Sequence, residues 1–253
     1  MSGMLRLFRS GAMLGILAGL GGCASLPDDY RDPRDPWESY NRGMNQFNTD
    51  FDNAIWKPVA KGYRAVMPEP LDRGVTNFFN NLLDVTSAIN NFLQLKLSRT
   101  ASDVGRIAVN STVGLLGFID VASNLDLPSY KEDFGQTLGY WGVEPGPYFV
   151  LPILGPSTVR DGISLIPDWY TQPVAYLDDR GVRWALGITY GIDARADLLT
   201  ASKVLEEAAL DPYTFTRDAY LQKRRNDVYD GNPPPEEEAP WENEESEPAT
   251  PQG

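Results

Sequence analysis

DFGQTLGYWGVEPGPYFVLPILGPSTVRD, residues 133–161, sets five glycines, four prolines and five aromatic residues around the apolar run Tyr148–Leu154. Glycine and proline punctuate turns, so the run cannot belong to a long helix. Tyr148–Leu154 is the best candidate in the chain for a short extended piece. Strand-like alternation is scarce elsewhere, and the sequence reads as helices interrupted by one Gly/Pro-rich hairpin.

The helical reading extends outward on both sides. Trp37, Tyr40, Met44, Phe47 and Phe51 recur at three- and four-residue spacings, opposite a face of Asn and Asp. Lys57-Pro58 predicts a boundary or kink, and Val59–Val66 a short helix stopped by Met67-Pro68-Glu69-Pro70. A long helix is expected over Asp72–Leu97, with Val75, Phe78, Phe79, Leu82, Leu83, Ile89, Phe92 and Leu93 on a wide apolar face. Asn77, Asn80, Asn81, Asn90 and Asn91 recur through it. They fit caps, turns or a water-facing side, or else a wet surface of neutral hydrogen-bonding groups. Further helices are expected over 101–113, Val182–Leu199 and Ser202–Leu210. Gly114 and Gly117 would permit close backbone approach. Asp211-Pro212 supplies an N-cap and first-turn proline for a last helix ending near Tyr229.

The whole-chain charge of −13 is unevenly placed, with seven glutamates and no Lys or Arg in residues 231–253. The rest remains acidic, a poor surface for gripping a phosphate backbone. The chain has no histidine and one cysteine, Cys23. That removes the commonest general base, every Ser-His-Asp or Cys-His arrangement, intrachain disulfides and thiolate zinc sites. No metal site is expected, and no GxxxxGK[ST] loop for ATP is present.

Residues 1–22 read as an export signal: Arg6 and Arg9, an apolar core from Ala12 to Leu20, then Gly21-Gly22-Cys23. That core is about half the ~20 residues that a bilayer-spanning helix requires. Leu20-Gly21-Gly22-Cys23 resembles the lipobox of bacterial lipoproteins, in which the cysteine takes diacylglycerol on sulfur and a palmitate-type acyl chain on nitrogen. Cys23 is therefore the expected lipid attachment site, with no other cofactor. Ala24 follows in place of the aspartate that often retains lipoproteins at the inner membrane, which favours an outer-membrane anchor. Residues 23–36 read as a lipidated tether, 37–230 as the helical domain and 231–253 as an acidic disordered tail.

Dispersed motifs in the body resemble the VacJ/MlaA family of outer-membrane phospholipid-transport lipoproteins. They are Asp35-Pro36-Trp37-Glu38 with Asn41-Arg42, Phe47-Asn48, Lys57-Pro58 and Asn77-Phe78-Phe79-x-Asn81-Leu82. They continue in Arg106-x-x-x-Asn110-Ser-Thr-x-Gly114-x-x-Gly117-x-x-Asp120 and Asp133-Phe-Gly-Gln-Thr-Leu-Gly139. Gly146-Pro147-Tyr148, Leu151-Pro152-x-x-Gly155-Pro156 and Arg160-Asp161 complete the series. The resemblance spans about 35–225. Ile107, where the family commonly has an aromatic, and the acidic tail depart from it.

The resemblance implies an all-α ring of amphipathic helices around a central amphipathic channel, seated in the periplasmic leaflet of the outer membrane. Its implied partners are phospholipid, an outer-membrane porin trimer and a soluble periplasmic lipid carrier. Its implied role is non-enzymatic removal of mislocalised phospholipid from the outer leaflet. Gly142, Pro145, Gly146, Pro147 and Tyr148 are then candidate hinge positions of a channel-flanking hairpin, with Tyr148–Leu154 facing lipid or the channel wall. Asn41, Arg42, Asn45, Phe47 and Asn48 are a candidate segment for setting ring position or channel opening. Arg106 and Arg160 are candidates for lipid phosphate, with ion pairs to Asp103, Asp120 or Asp161 as the alternative. Two other readings stay open: a porin-associated or envelope-tethering lipoprotein that transports nothing, and a hydrolase using carboxylates among Asp120, Glu132, Asp133 and Asp161.

Overall fold

The computed structural model describes residues 32–235. The signal, Cys23, most of the tether and the tail from 236 lie outside the described residues. Helix α1 (Glu38–Phe51) runs through a π-helical turn (Asp52–Trp56) into α2 (Lys57–Val66). The expected disturbance at Lys57-Pro58 therefore falls one turn earlier. Pro58 has no N–H to give the preceding turn, and the helix there loosens to wider bonding.

Helix α3 (Glu69–Leu93) begins on Pro68–Pro70 and packs along α4 (Leu97–Thr112). The return from α4 depends on Gly114, where a Cβ would lie 2.2 Å from the Ile119 carbonyl oxygen. The predicted close approach is thus real. A 3-10 turn (Ala122–Leu125) leads to α5 (Phe134–Tyr140). The antiparallel strands β1 (Tyr148–Leu151) and β2 (Gly155–Thr158) follow, paired from Tyr148 with Thr158 to Leu151 with Gly155. The chain continues through α6 (Val159–Thr171), a 3-10 turn (Pro173–Tyr176), α7 (Arg180–Asp197), α8 (Leu199–Ala208) and α9 (Pro212–Val228). Asp211 caps α9 as expected, accepting from the Tyr213 amide at 3.1 Å.

The predicted helical architecture with one hairpin is observed, and the packing closes on itself. Helix α2 packs on α7, α7 on α3, α3 on α6, α6 on the hairpin, and β1 on α1. Helix α9 lies against α5 and β2.

Burial is inverted relative to a water-soluble bundle. Among the described residues twenty-three polar or charged side chains are buried but only nine apolar ones. Asn41, Asp84, Asn90, Asn91, Gln94 and Asp103 are all inside, while Phe92 is 57% and Leu95 78% exposed. Of the asparagines expected on a cap or a wet surface, Asn81, Asn90 and Asn91 instead form interior hydrogen bonds: Asn91 gives 2.8 Å to Asp103, and Asn81 gives 2.9 Å to Ser111. Buried polar groups persist only when bonded in this way. The apolar core is correspondingly small: Tyr148, Val150 and Tyr213, with Met44, Tyr220 and Leu221 against them.

The turn tips repeat the inversion. Leu95, Leu115, Leu116 and Ile153 all adopt left-handed backbone angles (φ 60, 53, 61 and 66°) and are all exposed. A branched side chain in that region costs on the order of 1 kcal/mol, and water-facing turns use Gly, Asn or Asp there.

Candidate functional site

The N-terminal polar segment and the hairpin, separate candidates in the sequence, form one unit. Asn41 Nδ2 donates to the Tyr148 carbonyl at 3.1 Å, and its Oδ1 accepts the Val150 amide at 2.8 Å. Two helical turns on, Asn48 repeats the pattern with the Leu151 carbonyl at 2.8 Å and the Ile153 amide at 2.7 Å. Side-chain amides thus stand in for a third strand on the free edge of β1. Asn41 also donates to Asp35 at 2.7 Å, and Asp35 accepts from the Tyr213 hydroxyl. The Tyr148 amide donates to the Arg34 carbonyl at 2.8 Å, so residues 32–36 belong to the body rather than to a free tether.

Arg42 pairs with Asp211 at 2.8 Å and Glu38 at 2.7 Å and lies 4.4 Å over the Tyr213 ring. Phe47 stacks on Phe51 and is half exposed. Asn45 is half-buried, and its carbonyl takes the Thr49 hydroxyl at 2.9 Å.

Tyr148 corrects one expectation. Its side chain faces neither lipid nor a channel but is buried between Tyr213 and Tyr220, as Val150 is buried beside it. Inward alternation of β1 explains this. Leu151 and Leu154 alone of the run line the cavity described below. Gly142 (φ +88°) has open space where a side chain would be, whereas a Cβ at Gly146 (φ +67°) would meet Val159 at 3.3 Å. The carbonyls of Pro145 and Pro147 accept from the Arg160 and Val159 amides at 3.0 and 3.1 Å. The segment is fastened at its Pro145–Pro147 end and unobstructed at Gly142.

The two candidate phosphate-binding arginines have protein partners instead. Arg106 spends its donors on Asp84 (3.1 Å), Asp120 (3.3 Å), Ser123 and the Leu127 carbonyl. Hydrogen bonds from Ser123 and Asn110 overcome burial to hold Asp120 down at about 2. Arg160 is buried, bonded to Asp161 at 3.1 Å and to the Val143 carbonyl at 3.2 Å. It braces the loop after Gly142.

Between α3, α5, the hairpin, α6 and α9 lies a cavity of about 610 Å³. Leu83, Leu151, Leu154, Pro156 and Leu165 form its apolar wall. In the same lining, Arg224 bonds to Asp133 at 2.6 Å and Asp161 at 3.0 Å, and Tyr220 donates to Asp161 at 2.8 Å. Burial opposes charge on these carboxylates, but Arg224 holds both below the usual range. A smaller polar cavity, about 210 Å³, is lined by Arg106, Asn77, Asn110 and Asp120; Lys131 borders both cavities. The four carboxylates considered for hydrolysis are tied into such partnerships, Glu132 with Lys96 at 3.1 Å.

Sequence reasoning named Asp133 and Asp161 but missed Arg224 and Tyr220. Arg224 and Tyr220 sit four apart on α9, a spacing that signals one face, and Asp133-Phe-Gly-Gln136 is a capping-box pattern that announces α5. Asp133 Oδ1 does accept the Gln136 amide, at 2.9 Å.

The MlaA lipoprotein family model matches residues 33–227, the span of the Asn41 and Asn48 contacts, the hairpin and the cavity. The chain belongs to the MlaA lipoprotein family. It is 35% identical over 213 residues to the "Intermembrane phospholipid transport system lipoprotein MlaA" of Escherichia coli K12, covering 80% of this chain and 81% of that one. The Haemophilus influenzae protein of the same name is 35% identical over 230 residues, covering 87% and 90%. A solved structure described as "Structural basis for maintenance of bacterial outer membrane lipid asymmetry" is 34% identical with a TM-score of 0.69, covering 80% of this chain and 100% of that one. Among the described residues no helix is long and apolar enough to cross a membrane.

Proposed function

We propose that this chain is a lipid-anchored outer-membrane protein that withdraws mislocalised phospholipid from the outer leaflet through its cavity. It then passes the lipid to a soluble periplasmic carrier while docked on a porin trimer. The single observation that carries the reading is the inverted burial: large apolar side chains exposed in number around a hydrogen-bonded polar interior suit a body embedded in one leaflet. The leucine and isoleucine turn tips fit the same seat, because lipid in place of water offsets their backbone cost. The names of the relatives supply the transported class, phospholipid.

The cavity fits the physics of that transport. Exposing a methylene to water costs about 0.8 kcal/mol, so releasing two acyl chains unassisted costs on the order of 20 kcal/mol. A path must therefore give the chains apolar contact and the headgroup polar partners, and the cavity lining holds both. No bond need break, and direction comes from partners.

Cavity blockage tests the proposal. Leu165→Trp fills the cavity from a half-exposed position on α6. Purified with its anchor, the wild-type protein is expected to carry phospholipid detectable by native mass spectrometry, and the variant to lose it while melting unchanged. Equal lipid in both, or none in either, contradicts the cavity as the path.

A further inference from the structure

The charges around the large cavity cancel cluster by cluster, with one exception. Lys131 and Arg106 meet Asp84 and Asp120. Lys96 and Arg99 meet Glu132 and Asp230. Arg224 and Arg160 meet Asp133 and Asp161. Lys223 meets Asp227. Each group holds as many cations as carboxylates. Asp168, on the α6 wall of the same cavity, has no Lys or Arg within salt-bridge distance among the described residues. It accepts the Phe134 amide at 2.9 Å and has the Asn90 side-chain amide as a second donor, both of them neutral.

We infer that Asp168 is the ammonium acceptor of the cavity, and that the cavity selects glycerophospholipids with a cationic amine in the headgroup over anionic ones. The inference rests on the lipid-path reading above. A half-buried carboxylate left without a cation is costly, and a ligand amine would remove the cost. Burial, with help from the nearby Asp133 charge, pushes Asp168 up to about 6, against the hydrogen bonds from Phe134 and Asn90 and the charge of Arg224, which forms no ion pair with it. An ethanolamine headgroup brings that cation together with a phosphate, for which the exposed amines of Lys131 and Lys223 stand on the same cavity. A glycerol headgroup brings only the anion and leaves Asp168 as before.

The test uses the full lipidated protein in nanodiscs with a photo-crosslinking benzoylphenylalanine in place of Gln172, one helical turn from Asp168 on the cavity wall. Equimolar labelled phosphatidylethanolamine and phosphatidylglycerol compete for the crosslink. The expected ratio is roughly tenfold for the amine lipid, the scale of one charge-assisted hydrogen bond. Asp168→Asn should bring the ratio near one with total crosslinking kept, while Asp230→Asn, at a paired carboxylate outside the cavity lining, should preserve it. N-acetylated phosphatidylethanolamine, which needs no protein variant, should lose its advantage over phosphatidylglycerol. Equal labelling of the two lipids by the wild type, or a preference that survives either Asp168→Asn or acetylation, overturns the headgroup inference alone. No crosslink to either lipid overturns it together with the lipid path.

Discussion

Asn41 shows how much one side chain can hold. Fully buried, it donates to the Tyr148 carbonyl and accepts the Val150 amide of β1, and bonds Asp35 as well. Asn41→Ala leaves a carbonyl, an amide and a carboxylate without that partner, at a cost of about 1–3 kcal/mol for a buried group. We expect it to lower the unfolding midpoint and speed hydrogen exchange at the Val150 amide. Asn48→Ala, at a half-buried position, should cost about 1 kcal/mol and speed exchange mainly at Ile153. Asn41 and Asn48 were legible as members of a polar segment, because they belong to the Asn and Asp face set against an apolar stripe. Their partners were not, since 107 residues separate Asn41 from Tyr148 and no local pattern encodes a contact of that range.

At the scale of elements, helix identity was readable from spacing and capping, as for α1, α2, α3 and α9. Helices α5 and α6 were hidden because Gly135, Gly139, Gly162 and Pro167 resemble turn punctuation. Their caps were the available signal: Thr158 accepts the Asp161 amide at 3.2 Å, as Asp133 accepts that of Gln136. The return from α4 carries a steric prediction. Gly114→Ala places a methyl against the Ile119 and Asn110 carbonyls, so it should sharply reduce folded yield, whereas Gly43→Ala, with open space, should leave it unchanged.

The α3–α4 pair carries a pH prediction. Burial pushes Asp103 up to about 6, despite hydrogen bonds from the Tyr130 amide and Asn91. Between its unfolded value of 3.8 and about 6 the folded state holds a proton that the unfolded state lacks. Stability contributed by this group therefore falls as pH rises through that window. Asn91 Oδ1, buried and without a partner, can accept that proton after the amide turns over. Asp103→Asn offers the same donor at every pH. Its stability relative to wild type should rise from pH 4 to 7 in denaturant titrations.

For the whole molecule, periodicity correctly gave apolar faces but not which way they point. Ile89 and Phe92 look like core residues in sequence, yet they are exposed while Asn90 and Asn91 are inside. In water the assignment would be the reverse; the interior here is held by hydrogen bonds and ion pairs such as Arg224 with Asp133 and Asp161. Arg224→Ala strands the buried Asp161 and the half-buried Asp133 and should cost about 3 kcal/mol. Because Arg224 holds those carboxylates low, that contribution is present above about pH 4 and lost as pH falls below it. The shift of the unfolding midpoint caused by Arg224→Ala should therefore shrink in acid.

The central claim is that this inverted, lipid-anchored body removes phospholipid from the outer leaflet. The most direct measurement is the outer-leaflet phospholipid content of cells lacking the protein, complemented with the wild type or with Leu165→Trp. Loss should raise that content, the wild type should restore it, and the blocked cavity should not. Unchanged outer-leaflet phospholipid in cells lacking the protein would contradict the account.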